Sequence, residues 1–375
     1  MIQSTPYALA LDMSDRTAVA CLRGPAGEVE EEVTVPLEPA LLRGYLRRLL
    51  ERDPVVVLET GTHANWVYDL LAEVGFSKVI VADARQLKMI YESNKKTDEL
   101  DARLLSRYAQ SCPELLHPVQ PRGEEARQDR RLLSARHVCV ETRTKLVAYV
   151  RGIVKSTGAR LPKCDADNFA ALVKEVPDAL RPMLSPVMRV IGELSKEIGA
   201  FDERIEKRCE AHPATKSLKQ VSGVGPITAL AFAATVEDPK RFTRNRDIAS
   251  FIGIRPRIDN SGMLEKQLRI TKAGDGYVRQ LLVISAHTIL RQRSPATDLK
   301  RWGQSIAKTG GKRGKRRAAV AVARKLAVLL LALWKSGEKY QPVRKRTAAP
   351  QEAGAVKRGR RAVQRVDPSS VVTAK

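Results

Sequence analysis

The sequence predicts an α/β module at the front of the chain, a helical coiled-coil linker behind it, and a mainly helical C-terminal module. Three observations predict this. Short apolar runs of strand length alternate with helix-length periodic runs over the first 120 residues. A long stretch follows in which charged and leucine positions recur at helical spacing. The charge balance also changes sign along the chain: residues 1–120 carry 13 Lys+Arg against 18 Asp+Glu, residues 121–340 carry 44 against 22, and residues 341–375 carry 9 against 2. The boundaries predicted are therefore 1–120, 121–212, 213–340 and a basic tail, 341–375, without apolar periodicity.

The elements of the front module follow in order. "YALALDM" (7–13) is a near-continuous apolar run, as in a central strand. "TAVACLRG" and "VEEEVTVP" follow with turns between them, completing a three-strand meander. "EPALLRGYLRRLLER" (38–52) has leucines at helical spacing, "PVVVLET" (54–60) is strand-like, and "HANWVYDLLAEVG" is a helix stopped by Gly75. "KVIVADA" is a further strand, and "SNKKTDELDARLLSRYAQ" (93–110) a helix with Thr97 as its N-cap. Three strands, then helix–strand–helix–strand–helix, is the order of a ribonuclease-H-like sheet.

Composition narrows the function. With 375 residues, 43% of them hydrophobic, the chain can bury more than one core. A formal charge of +24 predicts a polyanion partner, most simply nucleic acid, because each neutralised phosphate releases condensed counterions. The five cysteines (Cys21, Cys112, Cys139, Cys164, Cys209) contain no CxxC pair, which argues against a disulfide frame or a zinc site and for reduced thiols in a cytoplasm. No signal peptide is expected, since "YALAL" is a run of five before Asp12. "LAVLLLALW" (326–334) is too short to span a bilayer and reads as a buried helix, so no membrane partner is expected.

Against that background the acids stand out. Asp12 closes the first strand and Glu59 the fourth, and in a sheet of this order those ends are neighbours. Asp98 and Asp101 share a helix face at i and i+3, behind the basic pair Lys95 and Lys96. Helix capping alone would explain Asp98. Four carboxylates at one point repel unless divalent cations lie between them, and Mg²⁺ held by carboxylates and phosphate oxygens suits a DNA site. An acidic front on a basic DNA-binding chain then has a reason.

The rear module carries three basic or glycine-marked motifs. "VSGVGPITALAFAA" (221–234) has the form of a helix–hairpin–helix, in which Gly223 and Gly225 would let backbone amides approach a phosphate; an ordinary packing corner is the plainer reading. In "GIRPRIDNSGMLEKQLRITKAGDGYVRQLLV" (253–283), Arg255, Arg257, Lys266, Arg269, Lys272 and Arg279 surround a short turn, "DNSG", carrying Ser261. By composition Ser261 is a turn residue; as a nucleophile on phosphorus it would need a base and cationic stabilisation, and the arginines would supply the second. In "KTGGKRGKRRAAVAVARK", a glycine-rich basic loop holding Lys312, Arg313, Lys315, Arg316 and Arg317 precedes a helix and reads as a phosphate or RNA clamp. The histidines form no ligand spacing and are assigned no role.

Taken in order, "LDMSDRT", "VVLETGTHANWVYDLL", "KKTDELDARLLSRYA", "LKQVSGVGPITALAFAA", "FIGIRPRIDNSGMLEKQLRITKAGDGYVRQLL" and "KRRAAVAVARKLAVLLLALW" resemble the insertion-sequence "one-ten" transposases, relatives of the pilin-gene invertases and known as bridge-RNA-guided recombinases. The resemblance covers nearly all of residues 7–340. It implies a RuvC-like domain with its DEDD set on Asp12, Glu59, Asp98 and Asp101, a Mg²⁺ site, a coiled-coil linker, and a transposase domain with a catalytic serine on Ser261. It further implies donor and target DNA, a structured noncoding guide RNA, and a nucleoid-associated homo-oligomer, dimer or tetramer, in which different protomers complete each active site. Two other readings stay open: a RuvC-type metal-dependent endonuclease such as a junction resolvase, without serine chemistry, and a non-catalytic nucleic-acid-binding protein.

Overall fold

The computed structural model describes residues 6–84, 86–87, 97–261 and 264–343, with backbone alone at 259–267 and at Lys312. The basic tail from 344, Lys95 and Lys96, and Gly262 and Met263 lie outside the described residues.

The front is a five-stranded sheet in the order β3-β2-β1-β4-β5. β1 (Ala8–Met13), β2 (Thr17–Arg23) and β3 (Val29–Pro36) form the antiparallel meander, and β4 (Val55–Glu59) and β5 (Val79–Ala82) continue parallel to β1. β1 is apolar and buried over Ala8–Leu11 because both of its faces are covered there. Leu9 and Leu11 pack with Leu42 and Leu46 of α1 (Pro39–Leu49) and Leu70 and Leu71 of α2 (Ala64–Val74). Ala8 and Ala10 on the other face pack with Ala102, Leu105 and Ala109 of α3 (Asp98–Ser111). The edge strand β3 carries acids that are each paired, Glu30 with Arg52, Glu31 with Arg48 and Glu32 with Arg103, and a charged edge resists pairing with another strand.

Two long helices follow, α4 (Glu124–Ser156) and α5 (Arg181–Ala211). Their contacts step in opposite directions: Arg208 with Asp129 and Glu125, Arg136 with Asp202, Arg143 with Ser195. The pair is thus an antiparallel hairpin within one chain. At its far end Val150, Val154, Leu184, Met188 and Ile191 close over Phe169 of a 3-10 segment, Ala166–Glu175.

The rear module contains α6 (Pro213–Leu218), α7 (Pro226–Val236), α8 (Ile248–Phe251), a two-stranded hairpin of β6 (Pro256–Ser261) and β7 (Leu264–Ile270), then α9 (Gly276–Leu290), α10 (Asp298–Lys308) and α11 (Gly311–Ser336). α7 is buried on every side and sits in one core with Leu282 and Ala286 of α9 and Leu326 and Leu330 of α11. "LAVLLLALW" is indeed a buried helix face, and among the described residues no helix is long and apolar enough to cross a membrane.

Two expectations are corrected here. Ser261 does not lie in a short "DNSG" turn: Asp259, Asn260 and Ser261 belong to β6 and pair with Lys266, Glu265 and Leu264 of β7. Hydrophobic alternation, the usual strand signal, is weak in "PRIDNS" because the hairpin stands clear of the core, with Ile258 and Leu268 exposed. The hairpin is rooted instead by backbone: Thr271 N donates to Arg255 O and Lys272 N to Gly253 O. Gly253 and Gly274 (φ +75° and +79°) press so closely on this junction that a Cβ on either would fall within 2 Å of a carbonyl oxygen. The second correction concerns the basic run: Lys312–Arg317 forms the first turns of α11, and Gly310 is its N-cap.

α4 is also the strut between front and rear. Arg127 pairs with Asp69 of α2, while Gly123 N donates to Glu237 Oε1 (2.7 Å) and Arg130 pairs with Asp275, the N-cap of α9. Burial alone would raise the Asp275 carboxyl, but Arg130 and the amides of Val278 and Tyr277 outweigh it and hold it below the usual carboxylate range. A carboxyl lowered in the folded state contributes stability that is present above its unfolded value, about 3.9, and lost as pH falls through the lower folded value. Asp275→Ala, which removes both cap and ion-pair partner, is expected to cost about 2–4 kcal/mol at pH 7. In a pH series of denaturant unfolding, the gap between wild type and Asp275→Asn should close below about pH 4; a gap unchanged by acid would refute the ion-pair account.

Candidate active site

Asp12 and Glu59 follow directly on the paired residues Leu11 and Leu58 of two adjacent parallel strands. Side chains alternate along a strand, so Asp12 shares the face of Ala8 and Ala10, and Glu59 that of Val55 and Val57, the face covered by α3. Both acids line a cleft of about 370 Å³ at the sheet's edge, with Asp15, Thr60 and His63. The Glu59 Oε1 atom is buried.

The direction of α3 decides where its acids go. Gln110, near its end, donates to the carbonyls of Pro6 and Gly24 (2.9 and 2.8 Å), and Ser106 lies against Cys21, which pairs with Ala10. α3 therefore runs antiparallel to β1. From Ser106 back to Asp101 the helix rises about 7.5 Å, and from Ala10 on to Asp12 the strand rises about 6.6 Å, which brings Asp101 level with Asp12. Asp101 is 5% exposed and packs on the sheet side, whereas Asp98 is exposed at the helix start, where Thr97 caps Leu100 N (3.3 Å). The structure thus brings Asp12, Glu59 and Asp101 to one end of one face and leaves Asp98 a turn away. Among the described residues, no three His, Cys, Asp or Glu side chains stand close enough to hold a metal ion as they are. The donor set is nonetheless all carboxylate oxygen on one face, which suits a hard cation such as Mg²⁺.

Three residues at this end of the sheet escaped sequence reasoning. Asp83, 9% exposed, immediately follows β5 and accepts from Gln86 Nε2 (3.2 Å); its position after "VIVA" repeats the strand-then-acid pattern of Asp12 and could have been found. Asp15 and His63 lie in turns, where no periodicity marks them.

In the rear module, Arg255, Arg257, Arg269 and Lys272 are exposed around the hairpin, and Arg255, Arg257, Ile258 and Leu268 line a groove of about 510 Å³ at its foot. Arg279 instead turns inward, its Nη1 donating to Ile252 O (2.8 Å) and Ala273 O (3.3 Å). Gly223 faces α9, where a Cβ would meet Ile289 at 2.8 Å, and Gly225 is the exposed N-cap of α7. Arg313, Lys315, Arg316 and Arg317 are exposed on α11, whose first turn holds no acid.

A transposase model of the IS110 DEDD group matches residues 9–158, and the model described as the IS116/IS110/IS902 transposase family matches residues 215–301. The transposase for insertion sequence element IS1111A of Coxiella burnetii is 30% identical over 294 residues, covering 76% of this chain and 79% of that one. The chain belongs to the IS110/IS116 transposase family. A probable family 20 transposase of Pseudomonas aeruginosa is 29% identical over 316 residues (82% of this chain, 90% of the relative). A putative transposase of Sinorhizobium fredii, y4pF/y4sB, is 28% identical over 348 residues (90% and 87%). As a transposase the protein is a DNA-processing enzyme. The front match takes in Asp12, Glu59, Asp98 and Asp101, the rear match Gly223, Arg255 and Ser261, and the basic start of α11 lies outside both.

Proposed function

We propose that this transposase is an RNA-guided DNA recombinase in which a RuvC-like acidic site, residues 1–120, assists a serine nucleophile, Ser261, carried by the module at 213–340. The observation that carries the proposal is that Asp12 and Glu59 end adjacent parallel strands in one cleft, with the buried Asp101 of α3 level with them on the same sheet face. The strand order 3-2-1-4-5, antiparallel then parallel, supports the RuvC-like reading. Mg²⁺ held by Asp12, Glu59, Asp101 and Asp98 would neutralise phosphate charge and ease deprotonation of the attacking hydroxyl. The chain's own part is to present the nucleophile and hold the backbone. Ser261 Oγ forms a bond to phosphorus as the bond from phosphorus to a deoxyribose oxygen breaks; the serine proton leaves and the departing oxygen gains one. One phosphodiester replaces another, so the reverse attack by a new strand end reseals the DNA.

Exposed cations at Arg255, Arg257, Arg269, Lys272 and along α11 support binding of DNA and of a structured guide RNA through phosphates, positions that carry no sequence reading of their own. The linker at 121–212 offers exposed Val138 and Tyr149 on the outside of α4, a surface suited to a second copy. Purified protein incubated with donor plasmid, target plasmid and the noncoding RNA from the element's flank should recombine them only when RNA and divalent cation are both supplied. Undiminished recombination by RNase-treated protein would sink the guidance.

A further inference from the structure

His63 stands four residues after Glu59, immediately before α2, and lines the same cleft as Asp12 and Glu59. Its ring meets Trp66 edge-on, with centroids 6.0 Å apart and an interplanar angle of 85°. The Trp66 indole Nε1 donates to His63 Nδ1 at 3.0 Å. An indole N–H can only donate, so Nδ1 must be the unprotonated nitrogen and the proton of the neutral ring sits on Nε2. Trp66 thereby sets both the tautomer and the orientation of the imidazole. Among the described residues lining the cleft, the other side chains are carboxylates, hydroxyls and one thioether, so His63 brings the nitrogen donor to an otherwise acidic wall.

We propose that His63 Nε2–H donates to a non-bridging oxygen of the scissile phosphate and is a catalytic residue of the strand-cleavage step. An acidic cleft repels a phosphodiester, and a fixed donor meets the charge that grows on its non-bridging oxygens in the transition state. The role rests on the reading of the Asp12–Glu59 cleft as the cleavage site.

The test is single-turnover cleavage by the full-length protein with its RNA, on donor DNA carrying either a normal phosphate or a phosphorothioate at the scissile position. His63→Ala is expected to slow cleavage by about 10²-fold, with DNA affinity within about twofold of wild type. His63→Gln, which keeps an amide donor, should recover about tenfold of that loss, and Trp66→Phe, which frees the tautomer, should cost only about three- to tenfold. The sulfur substitution should slow wild type more than His63→Ala, because the variant has lost the donor that sulfur weakens. Wild-type rates for His63→Ala beside an inactive Asp12→Asn would overturn the role of His63 and leave the cleft reading intact. Wild-type rates for both variants would overturn the cleft reading itself.

Discussion

Asp12→Asn and Glu59→Gln are each expected to lower DNA strand cleavage by ~10³-fold or more, equivalent to at least ~4 kcal/mol of lost transition-state stabilisation. The size of the effect follows from placement. Both carboxylates end adjacent parallel strands and share one cleft, so each is a large part of the negative charge available to hold a divalent cation against a phosphate. Neither substitution should harm the fold. Both replacements are isosteric, so the thermal midpoint should change little. The two acids of α3 should separate: Asp101→Asn is expected to match Asp12→Asn, whereas Asp98→Asn, at an exposed capped helix start, should lose about tenfold less. Cleavage and thermal unfolding measured on the same preparations check this, and an Asp12→Asn variant that cuts at the wild-type rate would refute the acidic site.

Ser261→Ala is expected to abolish the covalent protein–DNA adduct and to reduce strand exchange by ~10³-fold or more. The serine sits at the end of β6, on a hairpin rooted to the body by the Gly253–Gly274 junction and flanked by exposed arginines. An isolated two-stranded hairpin is marginal in water, so its position depends on that root. Denaturing gels of DNA-treated wild type and Ser261→Ala will show the adduct or its absence. Full strand exchange by the variant would place the chemistry on the acids alone, as in a RuvC-type endonuclease.

Much of the front module was legible because its signals are local. β1 reads as a buried central strand from "ALAL", Gly75 stops α2, and Thr97 caps α3, each a matter of a few adjacent residues. The rear hairpin was not legible, because strands that stand clear of a core need not alternate apolar and polar residues, and its glycines answer to carbonyls 20 and 23 residues away in the chain. The basic run of α11 misread as loop for a related reason: glycines at 310, 311 and 314 suggest a turn, yet Gly314 is needed inside the helix because a side chain there would strike Thr309 O.

The sequence by itself determined the order of elements in the front module, the sign change in charge, and that Asp12 and Glu59 end strands, since each depends on neighbours along the chain. Only the tertiary structure decided that α3 runs antiparallel to β1 and so carries Asp101, more than Asp98, to the level of Asp12. It alone also set His63 beside those acids, with its Nδ1 accepting from Trp66. Both outcomes come from side chains meeting across the sheet edge, and no periodicity along the chain encodes which atoms will meet there.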